Sequence, residues 1–178
     1  MFEDPHLPAP HVARERIQLV DARNRPCGSA WRSEMRRFRF WHRATYVVVV
    51  NARGELCVQR RTLTKEVFSG GLDLAAGGVV GAGEAVHLAA RRELEEELGI
   101  RGATLVPAGG FVHARGGNHI FGSLYRVEHD GPLQLQAEEV AEAFWLPPAE
   151  ALALAEVTPD TRQAVEVLRD AGLLGAAS

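Results

Sequence analysis

The stretch from Gly78 to Ile100, GVVGAGEAVHLAARRELEEELGI, constrains this chain more than any other part of it. Its first half is a loop of small residues. Its second half reads as a helix ended by Gly99, because glycine takes the left-handed conformation at a helix C-terminus without a Cβ penalty. At about 100° per residue, Glu93 and Glu97 point roughly the same way, and Glu96 lies about 60° to one side of Glu93. Three carboxylates therefore crowd one face. Val86, Ala89 and Ala90 share that side, and the two alanines are short enough to let a ligand come close. Leu94 and Leu98 point to a neighbouring face that can be buried.

Like charges at this spacing repel, and acids near a helix's negative C-terminal end add to the cost. A bound divalent cation reverses that balance. Hard cations such as Mg²⁺ and Mn²⁺ prefer carboxylate oxygens and keep waters that exchange with phosphate. A water so held, or a carboxylate acting as base, supplies a nucleophile for attack on phosphorus. A solvated acidic helix face is the competing reading, and it would account for an isolated acidic run. It does not account for Gly78, Glu84, Arg92, Glu93, Leu94, Glu96, Glu97, Gly99 and Ile100 standing together at fixed spacing.

Those positions spell Gly-x5-Glu-x7-Arg-Glu-aliphatic-x-Glu-Glu-x-Gly-aliphatic, and through this Nudix box the chain resembles the Nudix hydrolases. The resemblance implies an α/β fold, the Nudix α/β/α sandwich with a mixed central sheet between helices. It implies cleavage of a diphosphate bond in a nucleoside diphosphate linked to another moiety, with Mg²⁺ or Mn²⁺ as cofactor. Glu93, Glu96 and Glu97 would be metal ligands, one of them the general base. Arg92 would orient a box carboxylate, and the Gly78 carbonyl would add a metal contact. In this family a later acidic residue often completes the metal site or acts as base. Glu139 is the choice here, with Glu138 and Glu142 as rivals and a solvated acidic loop as the plain alternative.

The front half narrows the resemblance. His42-Arg43-Ala44, a Val-rich strand, Gln59-Arg60-Arg61, Lys65 and Leu72-Asp73 are similar to the Nudix branch that contains isopentenyl-diphosphate isomerase. That isomerase pattern needs a Cys just before the box and a metal-binding His two residues later. Those positions hold Gly77 and Val79, and its later Glu-x-Glu matches best to Gly117-Asn118-His119. Neither Gly77 nor Val79 has a side chain for acid/base or ligand chemistry, so hydrolysis is kept over isomerisation. A non-catalytic nucleotide-binding Nudix module is the other alternative, and the intact carboxylate set argues against it. The downstream stretch Ala114-Arg115-Gly116-Gly117 has neither the Pro nor the Tyr of the ADP-ribose and dinucleoside polyphosphate subgroups. Nucleoside di- or triphosphates, nucleotide sugars and non-nucleotide diphosphates all remain open.

Elsewhere the chain offers alternatives. Arg32, Arg36, Arg37, Arg39 and Arg43 could attract an anionic substrate or form a solvated face. Arg60 and Arg61 could clamp a distal charge or make structural ion pairs. His113 and His119 could contact phosphate or serve packing, and Phe111, Phe121 and Tyr125 could line a pocket or the core.

A length of 178 residues suits one domain, expected over 14–174 behind a flexible tail at 1–13 that carries Pro5, Pro8 and Pro10. Strands are expected over 15–21, 44–51, 55–61, 72–76, 103–114, 118–128 and 144–146, with 55–61 as the hairpin partner of 44–51. The β-branched run at 44–51 should be buried on both faces. Helices are expected over 29–39, along the box, from Pro148 to Glu156, and from a Thr158 cap to Asp170, with Ala164, Val165, Leu168 and Leu173 against the sheet.

A net charge of −3 gives no case for nucleic acid as a partner. The longest apolar run is too short to span a bilayer, and no secretory segment is legible, so no membrane partner is expected. Cys27 and Cys57 show no pairing or metal spacing, which suits a reducing cytoplasm. The expected partner is a small-molecule diphosphate substrate. The resemblance allows a homodimer, with no seam legible in the sequence.

Overall fold

The computed structural model describes residues 15–174, so the expected tail at 1–13 and the first residue of the expected domain lie outside the described residues. The strand β3 (His42–Val50) is the axis of the fold. Successive side chains on a strand point to opposite faces. Tyr46, Val48 and Val50 accordingly join one apolar cluster, and Val47 and Val49 join another. A run buried on both sides needs cover above and below. The helix α4 (Pro159–Asp170) covers the first face with Ala164, Val165 and Leu168. The helix α2 (Val86–Leu98) covers the second with Ala90, Leu94 and Leu98. The architecture is the expected α/β/α sandwich.

The sheet is mixed. β7 (Asn118–Glu128) runs parallel to β3 from His42↔Ile120 to Val50↔Glu128, and β6 (Val106–Arg115) lies antiparallel outside it. On the other edge of β3, β1 (Arg16–Val20) meets it at Leu19↔His42 and carries β2 (Pro26–Trp31) outside. β4 (Leu56–Arg61) leaves β3 after the single pair Val50↔Leu56. It pairs along its length with β8 (Val140–Leu146), and on its other side with β5 (Leu72–Asp73). The expected hairpin therefore holds only at its turn.

That divergence opens the edge of β3 between β1 and β4, and residues 76–80 fill the gap. Val47 N–H donates to the Ala76 carbonyl at 2.7 Å, Thr45 N–H to the Gly78 carbonyl at 2.9 Å, and Val80 N–H to the Arg43 carbonyl at 2.9 Å. The glycine loop of the box is thus spliced into the sheet, and α2 follows directly from it.

Several boundaries differ from the expectations. The helix expected over 29–39 begins only at Arg32, as α1 (Arg32–Phe38). Residues 26–31 pair instead with β1, from Arg16↔Trp31 to Val20↔Pro26, because strand pairing outweighs a local helical preference. β6 starts at Val106 rather than 103, and β8 starts at Val140, which puts Glu142 inside a strand. α3 (Pro148–Ala153) stops short of Glu156, and Arg162 takes up the carbonyls of Leu152 and Leu154 at its end. Gly172, at φ 70°, turns the chain so that Leu174 is buried while Leu173 is exposed. Thr158 sits at the N-cap of α4, but its hydroxyl donates to Asp73 Oδ1 at 2.6 Å instead of capping the helix. Cys27 is exposed and Cys57 buried, both free. No helix among the described residues is long and apolar enough to cross a membrane.

Candidate active site

The site forms where the spliced loop meets the C-terminal half of α2. Glu93 and Glu97 are buried there, at 8% and 7% exposure, whereas Glu96 faces solvent. The face expected to carry three crowded carboxylates thus carries two buried ones and one at the rim. Ala89 and Ala90 are fully buried, and Ala90 packs against β3. Their small size brings the helix close to the sheet rather than admitting a ligand.

Gly77 is sterically required, and Gly78 leaves the space that the Glu93 carboxylate occupies. A Cβ at Gly78 would lie 2.5 Å from Glu93 Oε1, and a Cβ at Gly77 would lie 1.9 Å from the Thr45 carbonyl oxygen. The Gly77 N–H donates to Glu97 Oε2 at 3.2 Å. The Gly78 carbonyl, expected as a metal contact, is instead turned to β3, where it accepts the Thr45 N–H. Backbone direction alternates along an extended segment. Gly77 is therefore the loop residue whose N–H faces the carboxylates.

Arg92 organises the acids. Its Nε donates to Glu84 Oε1 at 2.9 Å and its second terminal nitrogen to Glu84 Oε2 at 3.2 Å. Its remaining nitrogen reaches Glu93 Oε1 at 2.7 Å and Glu96 Oε2 at 3.2 Å. Only a planar guanidinium offers donors in that fork. Glu84 also accepts the Gly81 N–H at 2.9 Å, which ties the loop to the helix. Burial pushes the Glu93 carboxyl up to about 7, although Arg92 pulls the other way. Burial, and then the charge of Glu93, raises Glu97 well above the usual carboxylate range.

The three later acids stand in different surroundings, with Glu139 beside the buried pair. Its charge acts on both Glu93 and Glu97, and its carboxylate pairs with Lys65. Glu142 pairs with Arg60 at 2.7 Å across β4 and β8, and Glu138 is exposed. Among the described residues, no three acidic, His or Cys side chains converge in metal-ligand geometry. Glu96 is turned to Arg92 and Glu139 to Lys65. The donor chemistry nevertheless fits a hard divalent cation. Two buried carboxylates, raised chiefly by burial, with two more at the rim, are an oxygen donor set that a cation would stabilise.

The other sequence candidates fall outside this cluster. Arg60 pairs with Glu142 and Glu156, and Arg61 with Asp73 at 2.6 Å, so both make structural ion pairs. His113 is buried with Nδ1 2.8 Å from Gln163 Oε1. His119 Nδ1 lies 2.7 Å from the Arg39 carbonyl, and its ring stacks on Trp41. Arg32 pairs with Glu15, Arg36 pairs with Glu66, and Arg43 binds Asn24. The roles of Glu84 and of the Lys65–Glu139 pair were not legible beforehand. Glu84 precedes the helix, so helical spacing says nothing of where it points, and Lys65 and Glu139 meet from 74 residues apart.

A cavity of about 370 Å³ opens beside the loop. Gly77, Gly78, Tyr46, Asp73, His113 and Asp160 are among its lining residues. The loop thus borders both the acid cluster and a chamber of ligand size.

A profile of the NUDIX domain matches residues 40–168, which contain the box, the carboxylates, Lys65 and Glu139. The chain belongs to the Nudix hydrolases. It is similar to the Nudix hydrolase PA4841 of Pseudomonas aeruginosa, at 46% identity over 160 residues covering 88% of this chain and 95% of that protein. The Nudix hydrolase YfcD of Escherichia coli K12 is 42% identical over 155 residues, covering 86% of each chain. The crystal structure of DR0079 from Deinococcus radiodurans superposes with a TM-score of 0.75 at 27% identity, covering 85% of this chain and 98% of that one. These relatives make the chain an enzyme that acts on phosphorus-containing anhydrides, with the Nudix box as its candidate centre.

Proposed function

We propose that this Nudix hydrolase cleaves the diphosphate bond of a nucleoside diphosphate linked to another moiety, in a divalent-metal-dependent reaction. The observation that carries the reading is the buried Glu93–Glu97 pair, held against Gly77 and Gly78 and organised by Arg92. Glu93, Glu96 and Glu97 would hold Mg²⁺ or Mn²⁺, which when bound neutralises phosphate oxygens and polarises phosphorus.

The chain's own residues supply the rest. Arg92 fixes Glu93 and Glu96 in direction and ties them to Glu84 and the loop. Glu139 stands at the rim beside Lys65 and is our choice to take the proton from the attacking water. A P–O bond to that water forms as the anhydride P–O bond breaks, and the freed phosphate carries the electron pair away. Burial of Glu93 and Glu97 keeps bulk water from screening the charges that act on phosphorus.

Isomerisation gains no support. The isomerase pattern needs a cysteine at 77, and the Thr45 carbonyl oxygen leaves no room for a Cβ there. In this reading the partner is a small-molecule diphosphate of the cytoplasm rather than nucleic acid or a membrane.

The test is a turnover screen with Mg²⁺ and Mn²⁺ in separate wells, a panel of nucleotide and isoprenoid diphosphates, and a Glu97→Gln control. Metal-dependent product that disappears in the control is expected. Silence across the panel, with one compound stabilising the fold, would point to a nucleotide-binding module instead.

A further inference from the structure

The chamber beside the loop has an uneven charge. Its acids are engaged: Asp73 pairs with Arg61 and accepts from Thr158, and Asp160 accepts the Tyr46 hydroxyl at 2.9 Å. Of its arginines, Arg61 and Arg36 are half-buried and paired, with Asp73 and Glu66. Arg39 and Arg115 are different. Both are exposed at the mouth of the chamber, and among the described residues neither has a carboxylate within ion-pair distance. Burial, with the charges of Arg32 and Arg61, holds the Arg36 guanidinium down at about 10, as expected where positive charge is crowded.

Arg39 is not a loose surface side chain. It ends α1 in the left-handed conformation, at φ 55° and ψ 41°, where glycine or asparagine is the usual choice. A non-glycine residue there is strained by about 1 kcal/mol or more. Three contacts hold it. Its N–H donates to the Arg36 carbonyl at 3.2 Å, and its carbonyl lies 2.7 Å from His119 Nδ1. Its guanidinium lies over Gly117, where a Cβ would come within 3.0 Å of Nε. Gly117 stands in the two-residue turn after β6, and Arg115 is the last residue of that strand. The turn therefore brings Arg115 and the seat of Arg39 to the same rim.

We propose that Arg39 and Arg115 form an anion subsite that selects substrates carrying a second anionic group, a phosphomonoester or a carboxylate, on the moiety beyond the diphosphate. The assignment rests on the diphosphate-hydrolase reading for which end of the substrate meets Glu97. Two guanidinium forks at one rim are suited to either group, since both present oxygens in the geometry that arginine binds bidentately. The chamber's 370 Å³ lies between that rim and the Gly77–Gly78 loop and is of a size to hold the intervening sugar or base.

Matched substrate pairs test this in the full chain with Mg²⁺: NADPH against NADH for the phosphomonoester, and UDP-glucuronate against UDP-glucose for the carboxylate. The readout is the ratio of kcat/KM within each pair, which cancels any loss of folded protein. Wild type should favour the anionic member of at least one pair by about tenfold, the value of one charge-assisted hydrogen bond. Arg39→Gln and Arg115→Gln should each bring that ratio towards one. Wild-type ratios near one in both pairs, or ratios unchanged in both variants, overturn the subsite.

If nothing is hydrolysed, the same pairs are titrated into the Glu97→Gln protein by calorimetry. Preferential binding of the anionic member that Arg39→Gln abolishes upholds the subsite while the hydrolase reading fails. Equal or absent binding of both members overturns it.

Discussion

Gly77 and Glu97 meet main chain to side chain across the split edge of the sheet. The Gly77 N–H donates to Glu97 Oε2 at 3.2 Å, while the Thr45 carbonyl oxygen closes the space on the other side of Gly77. The helix that carries the box carboxylates is thereby positioned by the sheet itself. Gly77→Ala should force the loop off β3 and destabilise the fold by at least about 2 kcal/mol. Urea unfolding checks this, and a wild-type midpoint at unchanged slope would refute the splice.

Glu97→Gln should move activity and stability in opposite directions. The substitution keeps the shape but removes a charge disfavoured by burial and by Glu93. Turnover should fall by more than about 10²-fold, beyond what loss of a group outside a metal's ligand set costs. The melting temperature in chelator at pH 8 should stay level or rise. A fall in both would make Glu97 a structural residue.

The metal-free protein should lose stability as pH rises. The Glu93 pKa is about 7 in the folded state, against 4.5 for the free side chain. Between those values the folded state binds more protons than the unfolded state. Its contribution is therefore complete below about 4.5 and lost as pH rises through about 7. Denaturation in chelator at pH 5 and pH 8 should show the higher midpoint at pH 5. Excess Mg²⁺ should reverse the loss at pH 8, because a cation favours the ionised carboxylates, and Glu93→Gln should flatten the profile.

Arg92 and Glu84 should be energetically coupled. The pair is bidentate but a third of the Arg92 side chain is exposed, so screening limits its worth. A double-mutant cycle of Arg92→Lys with Glu84→Gln should give a coupling of roughly 1 kcal/mol. Turnover should fall in Arg92→Lys, since lysine cannot hold Glu84, Glu93 and Glu96 from one planar group. Additive effects on both stability and rate would remove Arg92 from its organising role.

Thr158→Val tests the link between α4 and β5. The hydroxyl donates to Asp73 Oδ1 at 2.6 Å, and Asp73 also holds Arg61. Valine fills the same volume and leaves one carboxylate oxygen without its donor, which costs about 1–3 kcal/mol. Loss of only a few tenths, as for a surface cap, would show that Thr158 serves the helix end instead.

Local sequence was enough to place the box helix and the central strand. Arg92, Glu93, Glu96 and Glu97 stand on adjacent turns, and helical spacing is local, so their shared side can be read without the fold. The Val47–Val50 run was equally legible, since a β-branched stretch with no polar face must be covered on both sides. Tertiary structure decided everything that depends on a distant partner. Residues 29–31 became strand because β1 lies beside them, and the Gly78 carbonyl turned to β3 because β4 diverges and leaves that edge open. Ala90 faces the sheet rather than a ligand, and Glu139 was separated from Glu138 and Glu142 only by where Lys65 and Arg60 stand. Local spacing fixes which side chains share a helix face, but which face is buried and which carbonyl is free depend on hydrogen bonds and packing between segments far apart in the chain.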